Sequence, residues 1–376
     1  MKILYAGKNI NHHQVPFIKS LMDIVGVENV KYSSIKMIEL ERLEMGFDQY
    51  EGDWLIDSIN QTDIFKQWWE QSDIVITNNR EYYHLIEERL RKGKMVFLTS
   101  ERWFKEPEGL LRLFHPHILK LVIKYRQLSK YHDFYYLPQG YFSYNDIARF
   151  GILENRAFAF GYLTPLCSNL ISRTKVLDHN RINIIWAGSL IRLKRVDLLA
   201  KAFCRIHQKY PNTYLTIIGQ GPEKKHINSI LNNGDPTGSY RIMNFVSNSE
   251  LRSIMNAADI YVFPSNGAEG WGAVVNEAMS EACAVILSSK VGAISMIKDG
   301  YNGLIFQDGN EKSLCESLLR ICGNSEYLRT LKNNAKKTIV DEWNPDTAAK
   351  RFIDICTNLK SNRKYEITGV ELLKRI

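Results

Sequence analysis

Short apolar runs alternate with amphipathic stretches along almost the whole chain. In the first half, such runs predict strands over residues 3–6, 30–33, 74–77, 95–99, 134–137 and 157–160. Apolar positions repeating at about 3.6 residues predict helices over 14–24, 64–71, 82–91 and 118–131. Strands that alternate with helices are typical of a parallel sheet covered by helices.

The same alternation continues in the second half. Strands are predicted over residues 182–187, 214–219, 241–246, 259–263, 285–288 and 304–306, with helices between them. Because 376 residues are long for one domain, we predict two Rossmann-like domains, 1–170 and 171–345, with the boundary in the polar stretch 168–181. We predict that a C-terminal helical segment, 346–376, follows the second domain. Ligands of such sheets bind at the carboxyl ends of the strands, so a cleft between the domains is expected to hold the substrate.

A glycine-rich loop with two glutamates follows the strand at 259–263. A helical pattern then runs through Ala282, and we expect one face of it to be core: Val274, Val275, Ala278, Met279 and Ala282. Glu269 is placed in the loop and Glu277 about two turns inside the helix. Free amides at the helix start attract phosphate, and carboxylates accept hydrogen bonds from sugar hydroxyls. Gly270 and Gly272 allow a ligand to approach the main chain.

A second glycine turn, Gly188-Ser-Leu-Ile-Arg-Leu-Lys-Arg195, follows the strand at 182–187. Three cations in four residues at a helix start predict a diphosphate clamp, whereas the alternative is a solvated helix start. Since cations there oppose the helix dipole, we favour a functional role for Arg192 and Lys194. Gly219-Gln-Gly221 is interpreted as a structural turn.

Glu269 and Glu277, with Gly292 and the segment 299–306, resemble the Glu-x7-Glu signature of family-4 retaining GT-B glycosyltransferases. Trp271 stands where that family usually has Phe, Lys194 matches its lysine, and Ser189 replaces its arginine. The resemblance implies an α/β GT-B fold, in which two Rossmann-like doubly wound parallel-sheet domains face each other across a cleft and the last helix crosses back to the first domain. Arg192 and Arg195 are both candidates to replace the charge missing at Ser189.

The resemblance also implies a function, namely retaining transfer of a sugar from a nucleoside diphosphate sugar to a glycan or lipid-linked glycan. The sequence is also similar to bacterial transferases that build capsule, exopolysaccharide or O-antigen. The resemblance implies catalytic roles for Glu269, Lys194 and Arg192. It implies donor binding by Ser189, Gly270, Trp271, Gly272 and Glu277. No cofactor is expected. Two alternatives remain: a catalytically inactive partner or chaperone of another transferase, and another GT-B enzyme such as a sugar-nucleotide epimerase.

Three residues of the first half are candidates for the acceptor side. His12 and His13 occupy the first strand-to-helix loop, where exposed or capping histidines are the commoner case. Glu101 follows the strand at 95–99, and capping of the next helix is favoured over orienting an acceptor hydroxyl. The two histidines have no further ligands at useful spacing and the chain has no Asp-x-Asp, so no metal is predicted.

Composition adds limits on partners and location. A net charge of +8 favours anionic partners, but no basic run with interleaved aromatics indicates nucleic acid. No apolar run is long enough to span a membrane, and six cysteines without a Cys-x-x-Cys pair indicate reduced thiols and a cytoplasmic protein. The basic segment 110–132 is interpreted as a sheet-covering helix, with peripheral contact to the anionic inner face of the plasma membrane as the alternative. No oligomeric state is predicted.

Overall fold

The protein consists of two compact units. The computed structural model describes residues 1–10, 12–36, 49–105, 109–153, 155–165, 181–235, 237–361 and 372. The first unit comprises Met1–Pro165 with Trp343–Ile376, and the second comprises Leu166–Glu342. Apart from Arg181, the polar stretch in which the sequence places the boundary lies outside the described residues.

The first unit is built on a six-stranded parallel sheet in the order β3-β2-β1-β4-β5-β6. Its strands are β1 (Ile3–Asn9), β2 (Val30–Lys36), β3 (Leu55–Asp57), β4 (Ile74–Thr77), β5 (Met95–Ser100) and β6 (Phe134–Pro138). Strands β4 and β6 are buried along their whole length. This burial is why their sequences are continuous apolar runs rather than alternating ones.

The strand predicted over residues 157–160 is wrong. The chain there makes only two isolated parallel bridges to β6, Tyr136 with Ala157 and Gln139 with Phe160. Pro138 lies between the two bridges and has no N–H to extend the ladder. The short three-residue strand β3, at the other edge of the sheet, has no counterpart among the predicted strands.

Helices cover both faces of this sheet. They are α1 (Val15–Val25), α2 (Thr62–Gln71), α3 (Tyr83–Arg91), α4 (Pro116–Leu128) and α5 (Tyr141–Ala148). The last helix of the chain, Pro345–Lys360, also belongs to this unit and packs on α1. Phe352 of that helix meets Phe17 edge-on at 5.7 Å, and Ser20 donates a hydrogen bond to Asp346 at 2.6 Å. Both apolar and polar contacts therefore attach this helix to α1.

The second unit has its own six-stranded parallel sheet, in the order β12-β11-β10-β7-β8-β9. Its strands are β7 (Ile182–Ala187), β8 (Thr213–Ile218), β9 (Tyr240–Met243), β10 (Ile260–Phe263), β11 (Ala284–Ser288) and β12 (Leu304–Phe306). The helices are α6 (Val196–Lys209), α7 (Lys224–Gly234), α8 (Asn248–Ala257), α9 (Val274–Ser280), α10 (Glu311–Cys322) and α11 (Ser325–Asp341), so the C-terminal helix is α12. The order of strands matches a doubly wound sheet, as predicted.

Helix α9 is shorter than the sequence predicts. Cys283 N donates to Ala278 O at 2.9 Å and Ala282 N donates to Met279 O at 3.0 Å, which is the double hydrogen bond of a Schellman end. Ala282 takes the left-handed φ of 59° that this motif requires, so it ends the helix and lies outside the core face. Because α9 begins only at Val274, Glu277 lies in its first turn and not two turns inside it.

Two further predictions from the sequence, on membrane spans and on cysteines, can be compared with the structure. In the part of the chain that the structure describes, no helix is both long and apolar enough to cross a membrane. The cysteines at 204, 283, 315, 322 and 356 are buried free thiols, whereas Cys167 lies outside the described residues.

Candidate functional site

The loop between β10 and α9 is fixed on both sides. Trp271 is almost completely buried, and its indole N–H donates to Asn276 Oδ1 at 2.8 Å. The backbone of Gly292 donates to Gly270 O, and that of Ala293 donates to Trp271 O, each at 3.1 Å. The Trp271 ring thus supports the loop from inside the protein, and the contact predicted between this residue and a donor stays a prediction.

Gly272 is required at its position for steric reasons. Its φ is +93°, and a Cβ there would lie 2.4 Å from Cε1 of Phe263. The chain can turn from the loop into α9 beside the Phe263 ring only because no side chain is present. Phe263 also lies beneath Lys194, whose Nζ is 5.4 Å from the ring centroid.

The structure brings two predicted catalytic residues together. Lys194 Nζ contacts Glu269 Oε2 in an ion pair whose side chains are 20% and 15% exposed. The backbones of the two loops are also joined, since Asn266 N donates to Leu193 O at 2.9 Å. Partial removal from water strengthens the attraction between the two charges, so this pair holds the Glu269 carboxylate and the Lys194 ammonium in a defined position.

The three cations of the clamp have different surroundings. Arg195 adopts a left-handed φ of 49° before α6, and its Nε lies 3.2 Å from Asp197 Oδ1. Asp197 belongs to the first turn of α6, where a carboxylate offsets the repulsion between Arg195 and the helix dipole. Arg192 and Ser189 are exposed on the loop.

The turn Gly219-Gln-Gly221 packs against the clamp loop. A Cβ on Gly219 would lie 1.8 Å from Gly188 O, and one on Gly221 would lie 2.4 Å from Leu190 O. Leu190 N donates to Gln220 O at 2.7 Å. These contacts agree with the interpretation of this turn as structural.

Glu277 is half-buried, and Asn248 Nδ2 donates to its Oε1 at 3.3 Å. Burial raises the pKa of the Glu277 carboxyl, although the charge of Arg252 and the Asn248 hydrogen bond oppose the shift. Asn248 did not emerge from the sequence as a site residue. The only indication of Asn248 in the sequence was the polar cluster Ser247-Asn-Ser-Glu250, and such a cluster is also common at an ordinary helix start.

The first unit gathers the acceptor-side candidates around Tyr162. His13 stacks on Tyr162 with ring centroids 4.9 Å apart, and His12 lies against His13. The Tyr162 hydroxyl donates to Glu101 Oε1 at 2.8 Å, while Lys105 Nζ lies 2.6 Å from Glu101 Oε2. Tyr162 was not predicted as a site residue.

The favoured capping role of Glu101 is therefore wrong, because its two carboxylate oxygens bind Tyr162 and Lys105. The next α-helix along the chain, α4, is instead capped by His115, whose Nδ1 accepts from His117 N at 3.3 Å. Among the residues that the structure describes, no group of three or more His, Cys, Asp or Glu side chains is placed to hold a metal ion.

Comparison with known proteins points to one family. Residues 169–338 match the family described as glycosyl transferases group 1. Alpha-monoglucosyldiacylglycerol synthase of Acholeplasma laidlawii is 26% identical over 185 residues, which are 48% of this chain and 46% of that protein. Lipopolysaccharide 1,2-N-acetylglucosaminetransferase of Salmonella typhimurium is 23% identical over 291 residues, 75% of this chain and 72% of that protein. Apart from the Salmonella enzyme, the chain spans about half the length of the first curated relatives it matches.

The fold is shared more widely than the sequence. Anabaena HepE, solved in complex with UDP, superposes with a TM-score of 0.70 over 95% of this chain and 100% of its own, at 14% identity. Sucrose-phosphate synthase of Thermosynechococcus elongatus superposes with a TM-score of 0.64 over 96% of this chain and 100% of its own, at 13% identity. The fold is therefore GT-B, and the part of the chain that matches the glycosyl transferases group 1 family, residues 169–338, is the part that carries Lys194, Glu269 and Glu277.

Proposed function

We propose that the protein is a retaining glycosyltransferase that moves a hexose-type sugar from a nucleoside diphosphate sugar to a glycan or lipid-linked glycan acceptor. The observation that carries the proposal is the Lys194–Glu269 ion pair, which is held beside the start of α9 with Glu277 in its first turn. A fixed cation, a fixed carboxylate and a helix start are the parts needed to bind a diphosphate and a sugar together.

Each charged group has a separate task in this mechanism. Glu269 accepts hydrogen bonds from the hydroxyls of the donor sugar, and Glu277 accepts them from the ribose. Lys194 and the amides at the start of α9 stabilise the negative charge that develops on the leaving diphosphate as the glycosidic bond breaks. The acceptor hydroxyl attacks from the face that the diphosphate leaves, and a phosphate oxygen takes its proton.

Arg192, rather than Arg195, is proposed to supply the charge that the family's arginine provides at the position of Ser189. Arg195 is engaged with Asp197 at 3.2 Å and serves the start of α6. Arg192 is exposed at the beginning of the turn Arg192–Lys194, two residues before the lysine that contacts Glu269. Binding of a diphosphate to Arg192 therefore breaks fewer ion pairs than binding to Arg195 would.

The relatives support this choice of substrates. HepE was solved with UDP, with UDP and glucose and with UDP-glucose, which supports a nucleoside diphosphate sugar as the donor here. The Salmonella relative acts on lipopolysaccharide, and a relative from Erwinia amylovora, 24% identical over 187 residues, is named for amylovoran biosynthesis. These names support an acceptor in surface polysaccharide biosynthesis.

Contact with the cytoplasmic face of an anionic membrane is proposed from the segment before α4. Leu111 and Phe114 lie in the turn Gly109–Phe114 and are 69% and 86% exposed. Lys120 follows on α4, and such a combination of exposed apolar residues with cations binds anionic lipid surfaces. Phe114→Ser should reduce co-sedimentation with phosphatidylglycerol vesicles, whereas unchanged co-sedimentation would contradict membrane contact.

Transfer of label from radioactive nucleotide sugars tests the proposed function. The full chain is incubated with UDP-, GDP-, ADP- and dTDP-sugars, with and without a lipid-linked oligosaccharide acceptor. We expect one donor to label the acceptor, and Glu269→Ala should abolish that labelling because the carboxylate holds the donor sugar through its hydroxyls. Glu316→Ala is the matched control, since Glu316 is exposed and, among the described residues, forms an ion pair with Lys312 alone, at 4.0 Å.

The outcomes separate the proposal from its alternatives. A new sugar nucleotide formed without acceptor would indicate an epimerase and contradict the proposal. Donor binding without any transfer, unaffected by Glu269→Ala, would indicate a catalytically inactive partner of another transferase. Labelled acceptor with the sugar in the inverted configuration would overturn the retaining mechanism alone.

A further inference from the structure

Polar side chains join helix α8 to helix α9 through two successive contacts. Asn248, the first residue of α8, donates a hydrogen bond from Nδ2 to Glu277 Oε1 at 3.3 Å. Arg252, one turn further along α8, donates from Nε to Glu281 Oε1 at 2.8 Å. Glu281 also follows Glu277 by one turn, since its N–H donates to Glu277 O at 3.0 Å. Residues four apart lie on one side of a helix, so the same sides of α8 and α9 carry both contacts.

The second contact is buried and holds the two helices together. The side chains of Arg252 and Glu281 are only 10% and 9% exposed. Arg252 Nη2 also donates to Ser280 Oγ at 2.7 Å, and the Ser280 hydroxyl donates to Glu277 O at 2.9 Å. Breaking a buried ion pair is costly because it leaves a charge without a partner. This contact therefore fixes α8 relative to the backbone of Glu277.

The first contact involves the carboxylate to which ribose binding is assigned above. A carboxylate can only accept hydrogen bonds, so the Asn248 amide presents its N–H to Glu277. A carboxylate accepts about four hydrogen bonds, so the one from Asn248 leaves capacity for two hydroxyls of a ligand. A glutamate side chain has several staggered rotamers, and the contact with Asn248 favours one of them. The Glu277 carboxylate is thus oriented before a ligand arrives.

We propose that Asn248 is a positioning residue for the donor. It orients the Glu277 carboxylate toward the ribose, and the Arg252–Glu281 pair holds α8 where this contact can form. The inference rests on the proposed function, because it assigns selectivity for the ribose of the nucleotide to this contact. A side chain that is already ordered loses less entropy when it binds the ribose hydroxyls. We therefore expect the protein to distinguish a ribonucleotide from its 2′-deoxy counterpart.

Calorimetric titration of the full chain with UDP and with 2′-deoxy-UDP tests the inference. GDP and ADP are compared with their own 2′-deoxy counterparts in the same way, and the pair whose ribonucleotide binds most tightly is used for the variants. We expect the wild type to bind the ribonucleotide about tenfold more tightly, as for one hydrogen bond to a charged group. Asn248→Ala should lose about fivefold of this preference, because the ribose must then order the Glu277 side chain itself.

Asn256→Ala is the matched control. Asn256 lies on the same side of α8, about two turns after Asn248, and both asparagines are half-buried. Its Nδ2 donates to Glu281 Oε2 at 3.1 Å, so the variant removes a hydrogen bond to the other glutamate. The preference for the ribonucleotide should keep its wild-type value. An equal loss in Asn256→Ala and Asn248→Ala would overturn the inference, because helix packing and not the orientation of Glu277 would then set the preference.

A double-mutant cycle shows whether Asn248 acts through Glu277 or on the nucleotide itself. If it acts through the carboxylate, Asn248→Ala should change the Kd of the ribonucleotide by about twofold or less once Glu277→Ala is present. Fully additive losses would mean that Asn248 contacts the nucleotide directly, and they would overturn the positioning role.

The donor site and the positioning role can fail separately. If a ribonucleotide binds and Asn248→Ala keeps the wild-type preference, the donor site stands and the positioning role is wrong. The same conclusion follows if the wild type binds the ribonucleotide and its 2′-deoxy counterpart equally well. If no nucleoside diphosphate binds the wild type, the proposed function fails, and the positioning role fails with it.

Discussion

The two candidate regions differ in how their charged groups are held. In the second unit, Lys194 and Glu269 form one ion pair, and their loops are joined by the Asn266–Leu193 hydrogen bond. In the first unit, the carboxylate oxygens of Glu101 bind the Tyr162 hydroxyl and Lys105, and the Tyr162 ring stacks on His13. A fixed pair of opposite charges suits catalytic groups, whereas a carboxylate beside a hydroxyl and aromatic rings suits recognition of a sugar hydroxyl.

The largest effect that would test this difference is expected from Lys194→Met. Loss of the cation removes stabilisation of the leaving diphosphate, so kcat should fall about 10²–10³-fold. Lys201→Met is the control, since Lys201 is on the exposed side of α6 and its one ion pair within the described part of the chain is with Asp197, at 3.9 Å. In a double-mutant cycle with Glu269→Gln, the two losses should be less than additive because the groups act as a pair. Full additivity in steady-state kinetics would contradict that coupling.

Gly272→Ala tests whether the loop of the second unit is sterically locked. A Cβ would strike the Phe263 ring in a backbone conformation unfavourable for alanine, and we expect the free energy of unfolding to fall by about 2–4 kcal/mol. Gly238→Ala is the matched control: its φ is also positive, at +69°, but no described atom lies within 4 Å of the added Cβ. That variant should lose only about 1 kcal/mol. Urea denaturation measures both, and equal losses would show that Phe263 does not constrain the loop.

Glu277→Gln should mainly weaken donor binding, raising the KM for the sugar nucleotide about tenfold while kcat changes less. Because burial raises the pKa of Glu277, the wild-type carboxylate gains its proton at a higher pH than an ordinary glutamate. Protonation removes acceptor capacity, so the KM should increase as the pH is lowered toward that pKa. The glutamine variant should lack this increase; a parallel rise in both proteins would place the titrating group elsewhere.

The smallest effect, no change at all, is expected from removal of divalent metal. If Lys194, Arg192 and the start of α9 supply the positive charge for the diphosphate, the transfer rate should be the same in EDTA as in Mg²⁺. Loss of activity in EDTA, with recovery on adding Mg²⁺, would show that the ion pair of the second unit is insufficient by itself.

Much of the second unit could be predicted from sequence because its signals are local. The strands before Gly188 and Pro264 are continuous apolar runs, and the strands at 182–187 and 304–306 have the predicted limits. Glu269 and Lys194 were each identified from motifs. The end of α9 was missed because Ala282 adopts a left-handed conformation that its sequence does not signal, and the position of Glu277 within the helix was misjudged for the related reason that the helix begins only at Val274.

The first unit shows the opposite case. Its sheet was predicted from the same kind of apolar runs, yet Tyr162 gave no sequence signal as a member of a site. It is an ordinary loop residue, and its role depends on its contact in space with Glu101. Glu101 was assigned to helix capping because only local partners are visible in a sequence.

The amino-acid sequence by itself determined the two doubly wound sheets and the motif residues of the second unit, because hydrophobic periodicity and glycine turns act over a few neighbouring positions. Only the tertiary structure decided which charges meet. Lys194 and Glu269 are separated by 75 residues yet form one ion pair, and Glu101 and Tyr162 are separated by 61. Electrostatic and hydrogen-bonding partners depend on distance in space, which the folded sheets set and the order of residues does not reveal.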